Sequence, residues 1–250
     1  MTRTEERRDL ALATAGVQLR AAGDDTTMQG FDGHAAVFNS RTAIGNPLTW
    51  GFYEEIAPGA FTKTLAEGDA RFLVDHDTRL VVSRVSGNSL RLAQDQVGLA
   101  VDADLDARLS YVNDLVINLD NRNITGMSFG FRTIKDDWET VEVETVDGAK
   151  VEAELRILRE VQLFEVSAVT FPAYEETDAG LRSVGVALAA RGDSAAFDRR
   201  AAYRPELNDF RREPDRASTR GSDATQPGET TGGRQAMRMK ALSARYSLAL

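Results

Sequence analysis

Few residues of this chain could do chemistry. Cysteine is absent and histidine occurs only at positions 34 and 76, which excludes thiol nucleophiles and thiolate metal sites. Ser128 lies between glycines in Gly126-Met127-Ser128-Phe129-Gly130-Phe131, His76 stands about 50 residues earlier in Asp75-His76-Asp77, and Glu165 about 40 residues later in Leu163-Phe164-Glu165-Val166-Ser167-Ala168-Val169. A hydroxyl, an imidazole and a carboxylate are the nucleophile, base and orienter of acyl transfer. The spacing therefore points to hydrolysis of peptide or ester bonds.

Each residue also has a plainer reading. Gly126 to Gly130 satisfies the G-x-S-x-G pattern of the hydrolase elbow, but that elbow needs a following helix and a later histidine. Here the sequence continues as a strand and no histidine follows position 76, so the α/β-hydrolase arrangement is excluded. The glycines leave room for a substrate backbone beside Ser128. His76 could be a surface histidine among acids, and His34, in a glycine-rich strand, is the competing base. Asp75, His76 and Asp77 cannot all point inward from one strand end, so neither a metal site nor a cofactor is expected. Ser167 is an alternative nucleophile that reads better as packing or as a supporting hydrogen bond. Glu165 sits in an apolar run, where an ionised carboxylate needs a partner. Either an arginine (Arg132, Arg156 or Arg159) or a histidine could be that partner.

These residues must be positioned by short strands. Apolar alternation and turn residues predict strands over 28–38, 48–56, 70–74, 80–85, 89–93 and 98–105, a spacing that suggests a barrel or a sandwich. Pro58 to Leu65 reads as a short helix. Arg108 to Leu119 is the best helix, with Leu109, Val112, Leu115, Val116 and Leu119 at helical spacing. A strand over 124–134 carries Ser128, and Asp147-Gly148 marks a hairpin between strands 138–146 and 150–158. Residues 161–171 read as a strand buried on both faces, with Leu163, Glu165, Ser167 and Val169 on one of them. Residues 4–22 are expected to form a frayed helix and then a short extended segment.

With 250 residues, 42% of them hydrophobic, the chain can bury one large core. The expected organisation is an N-terminal segment (1–27), a catalytic domain (28–189), a disordered linker (190–233) and a short basic amphipathic helix (234–250), because from about residue 190 apolar residues become too sparse to offset ordering entropy. The net charge is −9, yet residues 191–250 carry 12 basic and 8 acidic side chains while residues 1–190 carry 18 and 31. The acidic body argues against nucleic acid as a partner. No segment reads as a membrane span or a signal sequence, and cytosolic synthesis is expected.

Taken together, Tyr53 to Phe61, Asp75-His76-Asp77, Val97-Gly98-Leu99, Ile124 to Phe131 and Leu163 to Ala173 resemble the prohead (capsid maturation) protease family of tailed phages, over roughly residues 28 to 183 and in the family's order. The family is related to the herpesvirus assemblins. The resemblance implies a mainly β fold with surrounding helices (α+β), built on a closed antiparallel β-barrel of assemblin type. It also implies a serine endopeptidase that cuts the scaffolding portion of the major capsid protein, and itself, inside the procapsid in the host cytoplasm. Carried over position by position, the family's histidine falls on His76, its serine on Ser128 and its third member on Glu165. Self-cleavage is expected in the arginine-rich tail, whose basic end could dock on an acidic shell protein. The rival readings are a non-enzymatic virion β-barrel scaffold protein of the same fold and a hydrolase of small esters.

Overall fold

The computed structural model describes residues 5–21, 27–145, 147–171 and 178–211. In chain order these form β1 (Glu6–Ala11), α1 (Leu12–Ala15), β2 (Gln18–Ala21), β3 (Met28–Val37), β4 (Thr42–Ile44), β5 (Phe52–Ile56) and α2 (Thr62–Glu67). There follow β6 (Arg71–Val74), β7 (Asp77–Arg84), β8 (Leu90–Gln94), β9 (Gly98–Asp106) and α3 (Ser110–Asp120), then β10 (Gly126–Glu144), β11 (Lys150–Val169), α4 (Asp178–Arg191) and α5 (Ser194–Ala201).

Two sheets result. One has the order β1-β10-β11-β5-β4, with β6 also on β11 and β7 on β6; the other has the order β2-β3-β9-β8. The mainly β, α+β character matches expectation, but the closed barrel does not. A barrel needs its first and last strands paired, whereas among the described residues these sheets end on open edges at β1 and β4 and at β2 and β8.

The hairpin is longer than its sequence suggested. The stretches 124–134 and 138–146 are one strand of 19 residues, and 150–158 and 161–171 are largely one strand of 20. Register shifts between Gly130 and Phe131, Thr133 and Lys135, and Lys135 and Asp136 mark irregularities in the ladder. Each local break in alternation had read as a strand end, but a bulge interrupts the pattern without ending the pairing. The other edge of β11 accepts two parallel neighbours, β5 at Leu155 to Leu158 and β6 at Glu165 to Ala168. That second pairing sets the end of β6 beside Ala168, and the corner that follows carries His76 back to Glu165.

The main core joins both sheets and α3. Phe31, Leu99, Val101, Ala103 and Leu105 meet Met127, Phe129, Phe131, Leu163 and Val166 in one buried cluster with Val112, Leu115 and Leu119. Its rings interlock, with Phe31 and Phe72 4.9 Å and Phe61 and Phe129 5.7 Å apart. The i, i+3, i+7 spacing of the α3 residues is what lays that helix on the core.

Both ends of the described chain depart from expectation. Within residues 6–21 the helix is confined to Leu12–Ala15, residues 6–11 form instead a strand laddered on β10, and the expected extended segment is β2, paired with β3. Part of the expected disordered linker is helical, at 194–201 and 205–210: α5 is capped by Asp193, whose side chain accepts the Ala196 N–H at 2.9 Å. It is held by a second cluster in which Phe197 and Leu207 pack with Trp50, Phe52, Val184 and Leu188. Few apolar residues suffice there because Trp50 and Phe52 supply the opposing surface. The expected helix at 234–250 lies outside the described residues.

Candidate active site

Period-two alternation along β10 sends Met127, Phe129 and Phe131 into the core and Ser128 and Gly130 to the opposite face. On β11 the same face carries Ser167 opposite Ser128 and Glu165 opposite Gly130. The register shift then pairs Phe131 with Leu163, leaving Phe164 as an extra residue. Leu163 therefore returns to the core instead of sharing a face with Glu165. A bulge beside a site re-aims side chains in this way.

His76 arrives from the corner between β6 and β7. Asp75 and His76 both adopt left-handed backbone, with φ of 47° and 59°, which non-glycine residues do at some cost. The corner is fastened by Asp75, whose N–H donates to the Ala168 carbonyl at 2.9 Å and whose carboxylate accepts the Thr170 N–H at 2.8 Å and its hydroxyl at 3.0 Å. Asp77 instead takes the Arg79 guanidinium and backbone N–H. The two aspartates beside His76 thus fix the turn. Among the described residues no three histidine or acidic side chains gather as a metal-ligand set.

Glu165 meets the histidine. Its Oε1 lies 2.7 Å from His76 Nδ1, and its Oε2 accepts the Ser167 hydroxyl at 2.6 Å. The Ser167 Oγ in turn accepts the His76 N–H at 3.2 Å, tying ring and backbone of the histidine to β11. The three candidate arginines have other work: Arg156 bonds Asp136, Glu6 and Glu54, Arg159 bonds Asp137, and Arg132 lies over the Phe164 ring. Gly130 makes the arrangement possible, since a side chain there would collide with the Glu165 carboxylate. His34, the competing base, sits in the other sheet with Asp95 2.8 Å from its Nε2.

Ser128 is 0% exposed, and its Oγ donates to the Arg8 carbonyl at 3.0 Å across the β1–β10 ladder, where Asp9 pairs with Ser128. His76, Asp9, Asp75, Phe171 and Arg182 line an open cleft of about 530 Å³. Phe171, 79% exposed, gives the cleft an apolar rim.

Sequence reasoning missed what lies behind β1. Arg8 bonds Glu54 through Nε and Nη2, at 2.5 and 2.9 Å, and Glu6 at 2.9 Å. Arg156 bonds Glu6 at 2.7 Å and Glu54 at 3.1 Å. Burial alone would raise the Glu6 carboxyl, but the guanidinium groups of Arg156 and Arg8 overcome it and hold the pKa at about 2. Burial opposes the charge on Arg8 and Arg156 too, and their acidic partners raise both above the ordinary arginine value. Glu6 and Arg8 lie in the charged run Glu5-Glu6-Arg7-Arg8-Asp9, which by composition reads as solvated; the excess of charge gave no sign of burial.

A mainly β chain that pairs a histidine with a carboxylate on the sheet face bearing a strand serine holds the residue types of a serine hydrolase, with the Ser128 hydroxyl bonded to the Arg8 carbonyl. Residues 16–189 match the family model of the caudovirus prohead serine protease, and the chain belongs to that family. Over 159 residues it is 31% identical to the prohead protease of Enterobacteria phage HK97, an overlap of 62% of this chain and 60% of that protein. The chain thus spans about 60% of the length of this curated relative. No solved structure matches.

Proposed function

We propose that this protein is the serine endopeptidase of phage procapsid maturation, cutting the scaffolding portion of the major capsid protein and also itself inside the procapsid. The observation that carries the reading is the 2.7 Å contact between His76 Nδ1 and Glu165 Oε1 on the face that bears Ser128. Glu165 would hold the imidazole with its proton on Nδ1 and stabilise the imidazolium once formed. Nε2 would take the Ser128 proton as the hydroxyl attacks the scissile carbonyl, then return it to the leaving amine. Backbone N–H groups near Ser128 would receive the oxyanion. Ser167 would keep both Glu165 and the His76 backbone in place.

A second reading, a non-enzymatic virion scaffold of the same fold, is favoured by one fact: Ser128 is fully buried with its hydroxyl committed to Arg8. Co-expression with the cognate coat protein, read by intact-mass spectrometry, separates the two. Wild-type protein should shorten the coat protein and itself, and Ser128→Ala should do neither. Full-length coat protein with both forms would leave the scaffold reading standing.

A further inference from the structure

The strand that hides Ser128 is part of the chain itself. We propose that β1 is a self-blocking strand, occupying on the edge of β10 the slot where a substrate peptide pairs as an antiparallel strand, with the Arg8–Asp9 peptide at the position of the scissile bond. The inference rests on the proteolytic reading for what the slot is for, not for the strand's being exchangeable.

Four observations support it. First, β1 is an edge strand, paired from Glu6↔Phe131 to Ala11↔Gly126. Its departure would leave the amides and carbonyls of Gly126 to Phe131 open to another extended peptide, the mode by which sheet edges recruit strands. Second, the hydroxyl of Ser128 points at the Arg8 carbonyl as a donor. An attacking serine must give its proton to the imidazole and present its oxygen to carbonyl carbon, so this pose places a peptide bond at the nucleophile in an unreactive orientation. Third, β1 does not fill its trough. The His76 cleft opens on one flank, and on the other Arg8, Leu10, Ala36, Ile44, Phe129 and Ser183 border a cavity of about 270 Å³. Fourth, its anchor can leave without stranding a charge. Glu6 and Arg8 depart as an opposite pair, and Arg156 keeps Glu54 at 3.1 Å and Asp136 at 2.7 Å.

The chain has no cysteine, which makes a disulfide clamp a clean test. Leu10 and Met127 are ladder partners, and the full chain carrying Leu10→Cys and Met127→Cys can be oxidised and reduced in one sample. A fluorophosphonate probe should label Ser128 at least tenfold faster in the reduced form, and Ser128→Ala in the same background should abolish labelling. Equal, rapid labelling in both forms overturns the proposal, as does a mass showing cleavage between Arg8 and Asp9, which would make β1 a substrate. A second measurement does not need a reactive serine. Excess synthetic peptide with the sequence of Glu5 to Leu12, added to the wild-type chain, should lower hydrogen-exchange protection of residues 6–11 at least tenfold while 126–131 stay protected. Unchanged protection of 6–11 overturns the proposal. Displacement of the strand with no labelling of Ser128 in any form supports the exchangeable slot and defeats the proteolytic reading alone.

Discussion

Glu165 and His76 lie 89 positions apart in the chain and 2.7 Å apart in the fold. The contact forms because β6 runs parallel to β11 with Glu165 paired to Arg71 and Ala168 to Val74, so the corner after β6 turns the imidazole back over the carboxylate. Replacing Glu165 by glutamine preserves shape but lets the imidazole adopt the wrong tautomer. Glu165→Gln should lower kcat by about 10³ to 10⁴ with little change in fold, a magnitude taken from carboxylate-to-amide changes in serine triads. Steady-state kinetics on a coat-derived peptide, with circular dichroism as the fold control, measures it.

Gly130 tests the same contact sterically. A methyl group there would occupy the space of the Glu165 carboxylate, so Gly130→Ala should push the carboxylate off His76. Activity should fall at least a hundredfold while the melting temperature drops only a few degrees, because the neighbouring Phe129 and Phe131 keep their core positions. A variant that keeps full activity would show that Glu165 need not hold His76.

Ser167 stands one step back. Ser167→Ala removes the hydroxyl that donates to Glu165 Oε2 and accepts from the His76 N–H, and a hydrogen bond to a charged group contributes about 1.5–3 kcal/mol. Urea unfolding should show a loss of that order, and kcat should fall by less than in Glu165→Gln.

Arg156 is 1% exposed at its side chain and serves Glu6, Glu54 and Asp136. Arg156→Met should destabilise the protein by about 3–5 kcal/mol, because it leaves the buried carboxylates of Glu6 and Glu54 to share the single guanidinium of Arg8. Denaturant midpoints on both forms at one pH measure the difference.

The Glu6 contribution has a defined pH window. Its carboxyl falls from 4.5 in the unfolded chain to about 2 when docked, so the folded state is favoured by the ionised form, fully above about pH 4.5, and the contribution is lost as pH drops through about 2. The difference in melting temperature between wild type and Glu6→Gln should hold steady from pH 8 to 5 and shrink below 4.5. A difference that already vanishes at pH 6 would contradict the geometry of the cluster.

The sequence alone determined the residue types of the site and the faces on which they sit. Alternation around Ser128 separates phenylalanines from glycines, and a carboxylate in the apolar run 161–171 demanded a partner. Both are local properties, fixed by the two-residue period of a strand and the desolvation of a charge. Which partner Glu165 takes was not local. Histidine and three arginines were all chemically adequate, and only the parallel docking of β6 on β11 put His76 there while a buried ion cluster drew Arg156 away. Barrel closure was undecidable for the same reason, since strand order depends on pairings between distant segments. The N-terminal strand was the least legible: Glu6 and Arg8 read as solvated charges, and tertiary structure buried them because each supplies the other's counter-charge beside Glu54 and Arg156.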